Sequence, residues 1–373
     1  MKNNWPTKKL GEVADFLDNL RKPVTASDRV SGPYPYYGAN GQQDSVNDYI
    51  FDDELVLLAE DGGYFGSKTR PVAYRVSGKC WVNNHAHVLK NKDGVIDIDF
   101  LGYSLMYYDV TPYISGTTRA KLNKSEAIKI SLKVPPLSTQ KQIVERMDKI
   151  VEAQKLNDDL IQKSAELFQS LLHKELNPAG KDWEIKKLED HAFITSGGTP
   201  RRNRPEFFDG TIPWVKSGEL KDGFVFDTEE KITQEGLDKS SAKVFPIDTV
   251  LIAMYGATVG KVGMLKVEAT TNQAIAGIQP KKGELDPYFV FYFLLLTAPI
   301  LVKRSIGGAQ PNINQGMVKK LIIPFPPLET QKQIVAKLSA VQDYKTQLLI
   351  QKSKLKELFD SVLGKSMKGE MDD

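Results

Sequence analysis

The sequence has only one cysteine, Cys80, among its 373 residues. A single cysteine excludes an intramolecular disulfide and a thiolate metal cluster, and it favours a reducing cytoplasm as the compartment. Residues 1–5 contain no apolar h-region, so no signal peptide is predicted. The longest apolar run, at residues 288–296, is too short to cross a bilayer, so no membrane association is expected.

The sequence also lacks an excess of charge of one sign. Lys and Arg number 50 and Asp and Glu 47, which gives a net charge of +3. This balance is weak evidence for a nucleic-acid partner, although a basic face can exist within a near-neutral total. The length allows two globular domains with connecting elements, and the hydrophobic share of 41% is ordinary for a soluble protein.

The dominant feature that is present is an eleven-residue segment that occurs twice. VPPLSTQKQIV occupies residues 134–144 and FPPLETQKQIV occupies 325–335, with nine of eleven positions identical at a spacing of 191 residues. In each copy the Pro-Pro pair forces an extended approach. Thr139 with Gln142, and Thr330 with Gln333, have the spacing of a capping box, which predicts that a helix starts at each threonine.

A long helical pattern follows each copy of this repeat. The first helix is predicted over about 139–176 and the second over about 330–363, with apolar residues spaced alternately by four and three. This spacing is a heptad seam, with a polar middle at Gln154 and Asn157 in the first helix. We expect the two helices to pair with each other, and the alternative is that each packs separately against its own globule.

The segments that precede the two helices are similar to each other. Lys8-Lys9-Leu10 recurs as Lys186-Lys187-Leu188, residues 56–59 match 250–253, and Asn84 and Ala86 align with Asn272 and Ala274. In the first segment, strands are predicted at 54–60, 70–76 and 79–89, and a short helix at 100–108.

The predicted fold class is α+β. Two similar mixed α/β domains, residues 1–133 and 181–323, are separated by two long antiparallel helices that form a coiled-coil-like pair, in segments 134–180 and 324–373.

Signatures of an enzyme are weak in this sequence. Residues 256–261 are one residue short of a P-loop, and Val262 stands where Ser or Thr would bind magnesium. Asp209 with Glu219 and Lys221 fits only a loose nuclease pattern. His85 and His87 are predicted on one side of a strand without further ligands, so no metal site is expected. We expect no catalytic residue in this chain.

Polar and cationic residues recur at corresponding loop positions of the two globules. Arginine can bind guanine edges or phosphate, Asn and Gln suit adenine edges, and the glycines of residues 195–200 let backbone amides approach an anion. Most such residues, taken singly, solvate turns; their recurrence favours a shared binding face. In the second globule the candidates are Ser196, Thr199, Arg201, Arg202, Arg204, Lys216, Ser217, Tyr255, Thr258, Lys261, Asn272, Gln273, Gln310 and Asn312. In the first globule they are Asn19, Arg21, Lys22, Asn40, Gln42, Tyr64, Lys68, Asn84, His85, Arg119 and Lys121.

Over essentially its full length the chain resembles the specificity (S) subunit of type I restriction–modification systems. The resemblance is carried by the doubled PPLxTQKQIV segment and by TSGGTP (195–200), IPWVKSGEL (212–220), LIAMYGATVGKVG (251–263), TNQAIAGI (271–278) and GAQPNIN (308–314). The first globule departs from this pattern, with DNLR at 18–21 and EDG at 60–62. That departure fits a different half-site.

The resemblance implies two target-recognition domains, each entering the major groove of one half of a split, asymmetric DNA sequence. The helices would act as a ruler for the gap and would dock two methyltransferase (M) subunits and, through them, motor-nuclease (R) subunits. S-adenosylmethionine and ATP would be bound by those partners, so no cofactor is expected here. The alternative is a specificity module of another machine, such as a fused type IIB-like modification enzyme or an orphan DNA-binding regulator.

Overall fold

The computed structural model of the chain describes residues 5–116, 120–304 and 312–370. The chain divides into two units, which we call unit 1 (Met1–Asp158 with Ile350–Asp373) and unit 2 (Asp159–Leu349). Each unit contains one globule and parts of both long helices. The α+β class, with two similar mixed domains and two long helices, is confirmed. The domain limits at residues 133, 180 and 323 stay a prediction.

The globule of unit 1 is built from short strands in three sheets. The strands are β1 (Thr7–Lys9), β2 (Ala14–Phe16), β3 (Ser31–Gly38), β4 (Gly41–Val46), β5 (Phe51–Asp52), β6 (Leu55–Ala59), β7 (Ala73–Val76), β8 (Lys79–Val82), β9 (Ala86–Asn91) and β10 (Ser131–Lys133). The sheet orders are β2-β9-β6-β7, β4-β3-β8-β5 and β1-β10. The helices are α1 (Leu10–Val13), α2 (Ile98–Met106) and α3 (Lys124–Ala127), and the long helix α4 (Leu137–Leu176) begins in this unit.

The globule of unit 2 repeats this plan. Its strands are β11 (Glu184–Lys187), β12 (Ala192–Ser196), β13 (Phe208–Val215), β14 (Gly223–Val225), β15 (Glu230–Ile232), β16 (Val250–Ala253), β17 (Val262–Leu265), β18 (Thr270–Thr271), β19 (Ile275–Pro280) and β20 (Ile322–Phe325). The sheet orders are β12-β19-β16-β17-β14, β15-β13-β18 and β11-β20. The helices are α5 (Leu188–His191), α6 (Gln234–Asp238), α7 (Pro287–Arg304), α8 (Gln315–Lys319) and the long α9 (Leu328–Lys368), which ends in unit 1.

The centre of each globule is a short aliphatic strand. β6 (LVLLA) and β16 (VLIA) are buried along their whole length, and each lies between two partner strands. Because successive side chains point to opposite faces, Val56 and Leu58 join one apolar cluster while Leu55 and Leu57 join another. A strand buried on both faces reads as a continuous hydrophobic run rather than an alternating one. The strand predicted over residues 54–60 is therefore confirmed as β6, and residues 250–253, which match it in sequence, form β16.

The strand predicted over residues 79–89 is wrong as a single element. β8 ends at Val82 and β9 begins at Ala86, and the two strands belong to different sheets. The break is a side-chain-stabilised turn, because Oδ1 of Asn83 accepts a hydrogen bond of 2.8 Å from the amide of His85. His85 therefore lies in a turn and His87 in a strand, so the two histidines do not share one side of a strand.

The same turn corrects the alignment of the two globules by one residue. The amide of Asn83 donates to the carbonyl oxygen of Tyr37 at 3.0 Å, and the amide of Asn272 donates to that of Val215 at 2.9 Å. Tyr37 and Val215 occupy the same place in the parallel pairs β3–β8 and β13–β18. Asn83, rather than Asn84, is therefore the structural counterpart of Asn272.

The long helices begin earlier than the capping-box pattern predicted. α4 begins at Leu137 and α9 at Leu328, so Thr139 and Thr330 lie inside the first turn. The predicted helix starts at the threonines are therefore wrong. The Pro-Pro pair ends immediately before the helix and leaves no room for a separate capping residue.

A buried glutamine is the feature of the repeat that ties each helix to its globule. Gln140 and Gln331 are both 0% exposed. Oε1 of Gln140 accepts a hydrogen bond of 2.7 Å from the amide of Asp97, while Nε2 donates to the carbonyl oxygen of Pro135 at 2.8 Å. Gln331 makes the same pair of bonds, to the amide of Asp286 and the carbonyl oxygen of Pro326. A buried amide must satisfy both ends, and these partners belong to the globule and to the Pro-Pro segment.

The predicted heptad seams make two kinds of contact. Ile143 and Met147 are buried in the apolar core of unit 1, together with the globule, as the alternative of separate packing predicted. Further along α4, helix-to-helix contacts follow: in unit 1, Nε2 of Gln154 donates to the carbonyl oxygen of Leu355 at 3.2 Å, and Asp158 pairs with Lys352 at 2.8 Å. The numbering rises along α4 as it falls along α9, so the two helices run antiparallel there.

Unit 2 has the equivalent helix pairing. Glu175 near the end of α4 pairs with Lys337 near the start of α9 at 3.1 Å. Phe168 of α4 packs against Tyr292 of α7 with ring centroids 5.9 Å apart. In unit 1, Phe359 of α9 packs against Tyr103 of α2 at 6.4 Å. Each globule therefore contacts the end of the helix that begins in the other unit.

Helix α7 extends the apolar run noted in the sequence. It has 18 residues, and by length and composition alone it could cross a membrane, with 44% of that window buried. Its side chains Phe289, Val290 and Leu294 are fully buried in the core of unit 2. Such burial is typical of the core helix of a globule.

Candidate nucleic-acid interface

The glycines of the TSGGTP segment are explained by close packing. A Cβ atom at Gly197 would lie 2.2 Å from the carbonyl oxygen of Thr271, and one at Gly198 would lie 2.3 Å from the carbonyl carbon of Ser241. The two amides already donate to the carbonyl oxygens of Ile275 (3.2 Å) and Thr271 (2.9 Å). A backbone amide has one hydrogen to donate. These amides are therefore not available to an anion, contrary to the expectation from the sequence.

The three arginines that follow differ in how tightly they are held. The guanidinium of Arg202 lies 4.8 Å from the ring centroid of Trp214 and bonds to Glu230 at 2.6 Å. Arg204 bonds at 2.5 Å to the carboxylate two residues further along the chain. Arg201 is exposed, and its guanidinium has no hydrogen-bond or ion-pair partner within residues 5–116, 120–304 and 312–370. Arg201 is thus the arginine of this loop that is free to bind a ligand.

Glu230 holds two of the predicted DNA-contacting cations at once. One oxygen accepts from Nη1 of Arg202 at 2.6 Å, and the other lies 2.9 Å from Nζ of Lys216. Glu229 also pairs with Lys216, at 3.0 Å. Hydrogen bonds from Arg202 and Lys216 hold the pKa of Glu230 below its usual value, and those to Glu230 and Glu229 raise the pKa of Lys216.

Several other predicted residues of unit 2 are joined to this cluster. The hydroxyl of Thr199 bonds to Oε1 of Gln273. Nε1 of Trp214 donates to the carbonyl oxygen of Gly198, the residue before Thr199, at 3.0 Å. The hydroxyl of Thr258 donates to the carbonyl oxygen of Ser217 at 2.9 Å. The structure thus brings the loops after β12, β13, β16 and β18 into one surface.

The remaining candidates of unit 2 lie around this surface. Lys261 pairs with Asp222 at 2.5 Å. Burial raises the pKa of the Tyr255 hydroxyl. Oδ1 of Asn272 accepts a bond from the amide of Ala274 at 3.2 Å. Ser196 at the end of β12 is half-buried and Asn312 is exposed, while Gln310 lies outside the described residues.

Unit 1 also has a glutamate that holds two predicted cations, at a different position of the scaffold. Oε2 of Glu60 accepts from Nη1 of Arg21 at 2.7 Å, and Oε1 lies 2.9 Å from Nζ of Lys121. Arg21 also donates to the carbonyl oxygen of Ala86 at 2.7 Å, and only 12% of its side chain is exposed. Burial raises the pKa of Glu60, but the bonds from Lys121 and Arg21 outweigh it, and the pKa stays below its usual value.

A second acid, Asp18, lies beneath this group. Its Oδ2 is 2.7 Å from Nδ1 of His87, and its Oδ1 accepts from the amide of Val88 at 2.9 Å. His87 is fully buried, and its Nε2 faces the carbonyl oxygen of Leu122 at 2.7 Å. Burial raises the pKa of Asp18, but the bonds with His87 and Val88 outweigh burial and lower it overall.

Asp18, Glu60 and His87 have the spacing of metal ligands. One ligand atom each from Asp18, Glu60 and His87 lie within 4.8 Å of one another. Both oxygens of Glu60 are already bonded to cationic side chains, and those of Asp18 to His87 and a backbone amide. The carboxylate oxygens of this cluster are therefore bonded to donors of the protein itself, and the cluster is an ion-pair network.

The other candidates of unit 1 fall into three groups. Nδ2 of Asn40 donates to the carbonyl oxygen of Gly62 at 2.9 Å, and Nδ1 of His85 lies 2.5 Å from Asp61, which places both beside Glu60. Gln42, Tyr64 and Lys68 lie apart from that group. Gln42 bonds within its own strand, and the ring of Tyr64 stacks under the guanidinium of Arg70. Lys68 borders a cavity of about 480 Å³ that is also lined by α2 and the end of α9. Asn19, Lys22 and Asn84 are exposed, and Arg119 lies outside the described residues.

The enzyme-like patterns have structural explanations. Residues 256–261 join the antiparallel strands β16 and β17, whereas a P-loop leads from a strand into a helix. The carboxylate of Glu219 accepts hydrogen bonds from the amides of Lys216 (2.9 Å) and Glu229 (3.1 Å), so it stabilises its own turn. This role accounts for Glu219 without nuclease chemistry.

Sequence reasoning selected cations and amides and missed the acids that hold them. Glu60, Glu230 and Asp18 were not among the candidates, although each contacts at least one residue predicted to bind DNA. A signal was available, because Glu60 and Asp18 belong to the EDG and DNLR segments in which the first globule departs from the second.

The two units thus share one scaffold, and each pairs predicted cationic side chains with acidic ones on it. The family model for the type I restriction modification DNA specificity domain matches residues 2–164 and 180–362. The chain therefore belongs to this family.

Curated relatives carry names consistent with the family. A Haemophilus influenzae protein described as a type I restriction enzyme specificity subunit is 43% identical over 141 residues, covering 38% of this chain and 36% of the relative. The MjaIX specificity subunit of Methanocaldococcus jannaschii is 30% identical over 186 residues, covering 49% and 42%. The aligned segments thus span less than half the length of these two relatives. The EcoDI specificity subunit of Escherichia coli is 22% identical and covers 99% of this chain and 89% of its own length.

Solved structures support the fold. The S subunit of a type I system from M. genitalium superposes with a TM-score of 0.62 at 14% identity, covering 99% of this chain and 96% of that one. The HsdS subunit from Thermoanaerobacter tengcongensis gives 0.56 at 18% identity, covering 100% and 98%. At such identities the likeness establishes the fold alone.

Proposed function

We propose that this chain is the DNA-specificity subunit of a type I restriction–modification complex and that each unit reads one half of a split, asymmetric DNA target. One observation carries the proposal: equivalent positions on a common scaffold hold different side chains in the two units. The amide of Glu60 donates to the carbonyl oxygen of His85 at 2.9 Å, and the amide of Met254 donates to that of Ala274 at 2.7 Å, so Glu60 corresponds to Met254. A shared scaffold with different contact groups suits two different half-sites.

The long helices are proposed to set the gap between the half-sites and to dock two methyltransferase subunits. Leu167 on α4 in unit 2 is 50% exposed, and Leu358 on α9 in unit 1 is 48% exposed. These leucines are 191 residues apart, the spacing of the repeat. An exposed leucine at the same repeat position on each helix supports two equivalent protein contacts. Motor-nuclease subunits would join through the methyltransferase subunits.

The chain itself is proposed to be non-catalytic, with S-adenosylmethionine and ATP bound by the partners. The alternative, a specificity module of a type IIB-like enzyme or an orphan regulator, would use the same two DNA-reading units. It differs in what happens to the DNA after binding, which an experiment can read directly.

The test is to co-express the chain with type I methyltransferase subunits in a host that lacks adenine methylation and to map methylated adenines. We expect one split motif with a constant gap and two unlike halves. A contiguous or palindromic motif would contradict the two-unit reading. Specific DNA binding without methylation, despite a formed complex, would favour the regulator.

A further inference from the structure

Each unit contains one glutamate that bonds to two of the predicted DNA-contacting cations. In unit 1, Glu60 holds Arg21 and Lys121 at 2.7 and 2.9 Å. In unit 2, Glu230 holds Arg202 and Lys216 at 2.6 and 2.9 Å. The two glutamates lie at unrelated positions of the scaffold, one just after β6 and the other at the start of β15. The same arrangement has therefore been reached twice by different residues.

The glutamates remove the local positive charge from surfaces that hold cations. In unit 2, Arg202 and Lys216 face Glu230 and Glu229, two charges of each sign. A DNA phosphate that binds Lys216 must displace a carboxylate already at hydrogen-bonding distance. Exchange of one anion for another yields little net free energy. It also releases few counterions overall, because the displaced carboxylate attracts counterions from solution.

We propose that Glu60 and Glu230 are specificity-determining residues that withhold these cations from non-specific DNA; this rests on the proposed DNA-recognition function. On random DNA the cations stay with their glutamates, so affinity is low and depends weakly on salt. On the target, contacts from the free groups of the same surface, such as Arg201, hold the duplex close enough for the exchange. Each glutamate thus acts by raising the ratio of specific to non-specific affinity, the quantity that governs target choice.

The direct test is Glu230→Gln in the full-length chain, because Glu230 is one-third exposed and its replacement is nearly isosteric. Binding is measured by fluorescence anisotropy on a scrambled 30-base-pair duplex and on a duplex enriched from a random library by the wild-type chain. We expect tighter binding to the scrambled duplex and a steeper salt dependence. Each freed cation adds about 0.9 to the steepness of the salt dependence, so between about 50 and about 200 mM salt the affinity falls by a further factor of about 3.5.

Glu60→Gln is the second variant; it should release Lys121 and so have a smaller effect of the same sign, because Arg21 stays bonded to Asp18 and to the carbonyl oxygen of Ala86. Because Glu60 is 8% exposed, its thermal unfolding is compared with wild type first. Glu184→Gln is the matched control: Glu184 is 71% exposed and pairs with Lys186 on β11. It changes the net charge equally but frees no predicted DNA-contacting cation. Combining Glu230→Gln with Lys216→Gln and Arg202→Gln should cancel the gain on scrambled DNA.

The outcomes separate this inference from the function on which it rests. If no duplex is enriched by the wild-type chain, alone or with methyltransferase subunits, the proposed function fails. If the enriched duplex is bound specifically but Glu230→Gln leaves both the scrambled-duplex affinity and the salt slope at the values of Glu184→Gln, the withholding role is overturned.

Discussion

Gln140 accepts a hydrogen bond of 2.7 Å from the amide of Asp97, and Gln331 accepts the corresponding bond of 2.8 Å from Asp286. These pairs attach the first turn of each long helix to its globule. They explain why the glutamine is retained in both copies of the repeat, whereas the residue two positions before it differs, Ser138 in one and Glu329 in the other.

Gln140→Ala should destabilise unit 1 by about 1–3 kcal/mol, because it leaves buried backbone groups at Asp97 and Pro135 without partners. Thermal unfolding reports the loss, and hydrogen–deuterium exchange of the peptide that contains Asp97 should show reduced protection. Gln142→Ala is the control, since Gln142 is exposed two residues further along the same helix. Equal behaviour of the two variants would mean that the buried amide is not a structural anchor.

The three arginines of the loop after β12 should not be equivalent in DNA binding. Arg201→Ala should weaken target binding by about 1–3 kcal/mol and relax one base position if the guanidinium reads a base. If it contacts only phosphate, all sequences should weaken together and the salt slope should fall by about one. Arg204→Ala should have the smaller effect, because Arg204 is paired with its own neighbouring acid. A panel of single-base variants of the target distinguishes these results, and a larger loss for Arg204 than for Arg201 would contradict the assignment.

The ionised carboxylate of Asp18 should stabilise unit 1 at neutral pH and lose this effect in acid. Its folded-state pKa is lowered, so its contribution is complete above the unfolded value of about 3.9 and is lost as the pH falls through the folded-state pKa. Asp18→Asn should therefore cost about 1.5–3 kcal/mol at neutral pH, and this cost should shrink below about pH 4. Melting curves from pH 7 down to 3 measure it, with the exposed Asp93→Asn as control. If the difference in melting temperature between Asp18→Asn and wild type grew on acidification, the predicted direction of the pH dependence would be wrong.

The proposed docking sites should accept two methyltransferase subunits per chain. Mass measurement of the complex at saturating partner should give two methyltransferase subunits to one specificity subunit. Leu358→Glu should remove one of the two by placing a charge in an apolar contact, and Leu167→Glu should remove the other. A stable one-to-one complex of the wild-type chain would contradict the repeat-based argument.

The ruler hypothesis predicts that the gap follows helix length. The contacts of Gln154 with Leu355 and of Asp158 with Lys352 require a matched change, so one heptad is inserted in α4 between Gln154 and Asn157 and one in α9 between Lys352 and Leu355. Seven residues add about 10 Å and rotate the following segment by about 20°.

At about 3.4 Å per base pair, the gap should widen by roughly one to three base pairs while both half-site sequences stay the same. Methylation mapping of the variant complex checks this. Retained activity with an unchanged gap would mean that the helices do not set the spacing.

The sequence by itself determined the duplication, the two long helices and the two central strands. Each of these depends on a periodicity that is local to the chain: the repeat at 191 residues, the alternation by four and three, and an unbroken aliphatic run. Local periodicity follows directly from the geometry of helices and strands.

Tertiary structure decided the rest. The break at Asn83 depends on a side-chain bond within a turn, and the helix starts depend on partners more than 40 residues away in the chain, as from Gln140 to Asp97. The candidate DNA-binding surface shows the same limit. Sequence patterns selected Arg21, but only the folded chain brings Glu60 to 2.7 Å from it. Whether a cation is free or held depends on the charge opposite it in space, and the order of residues along the chain does not contain that distance.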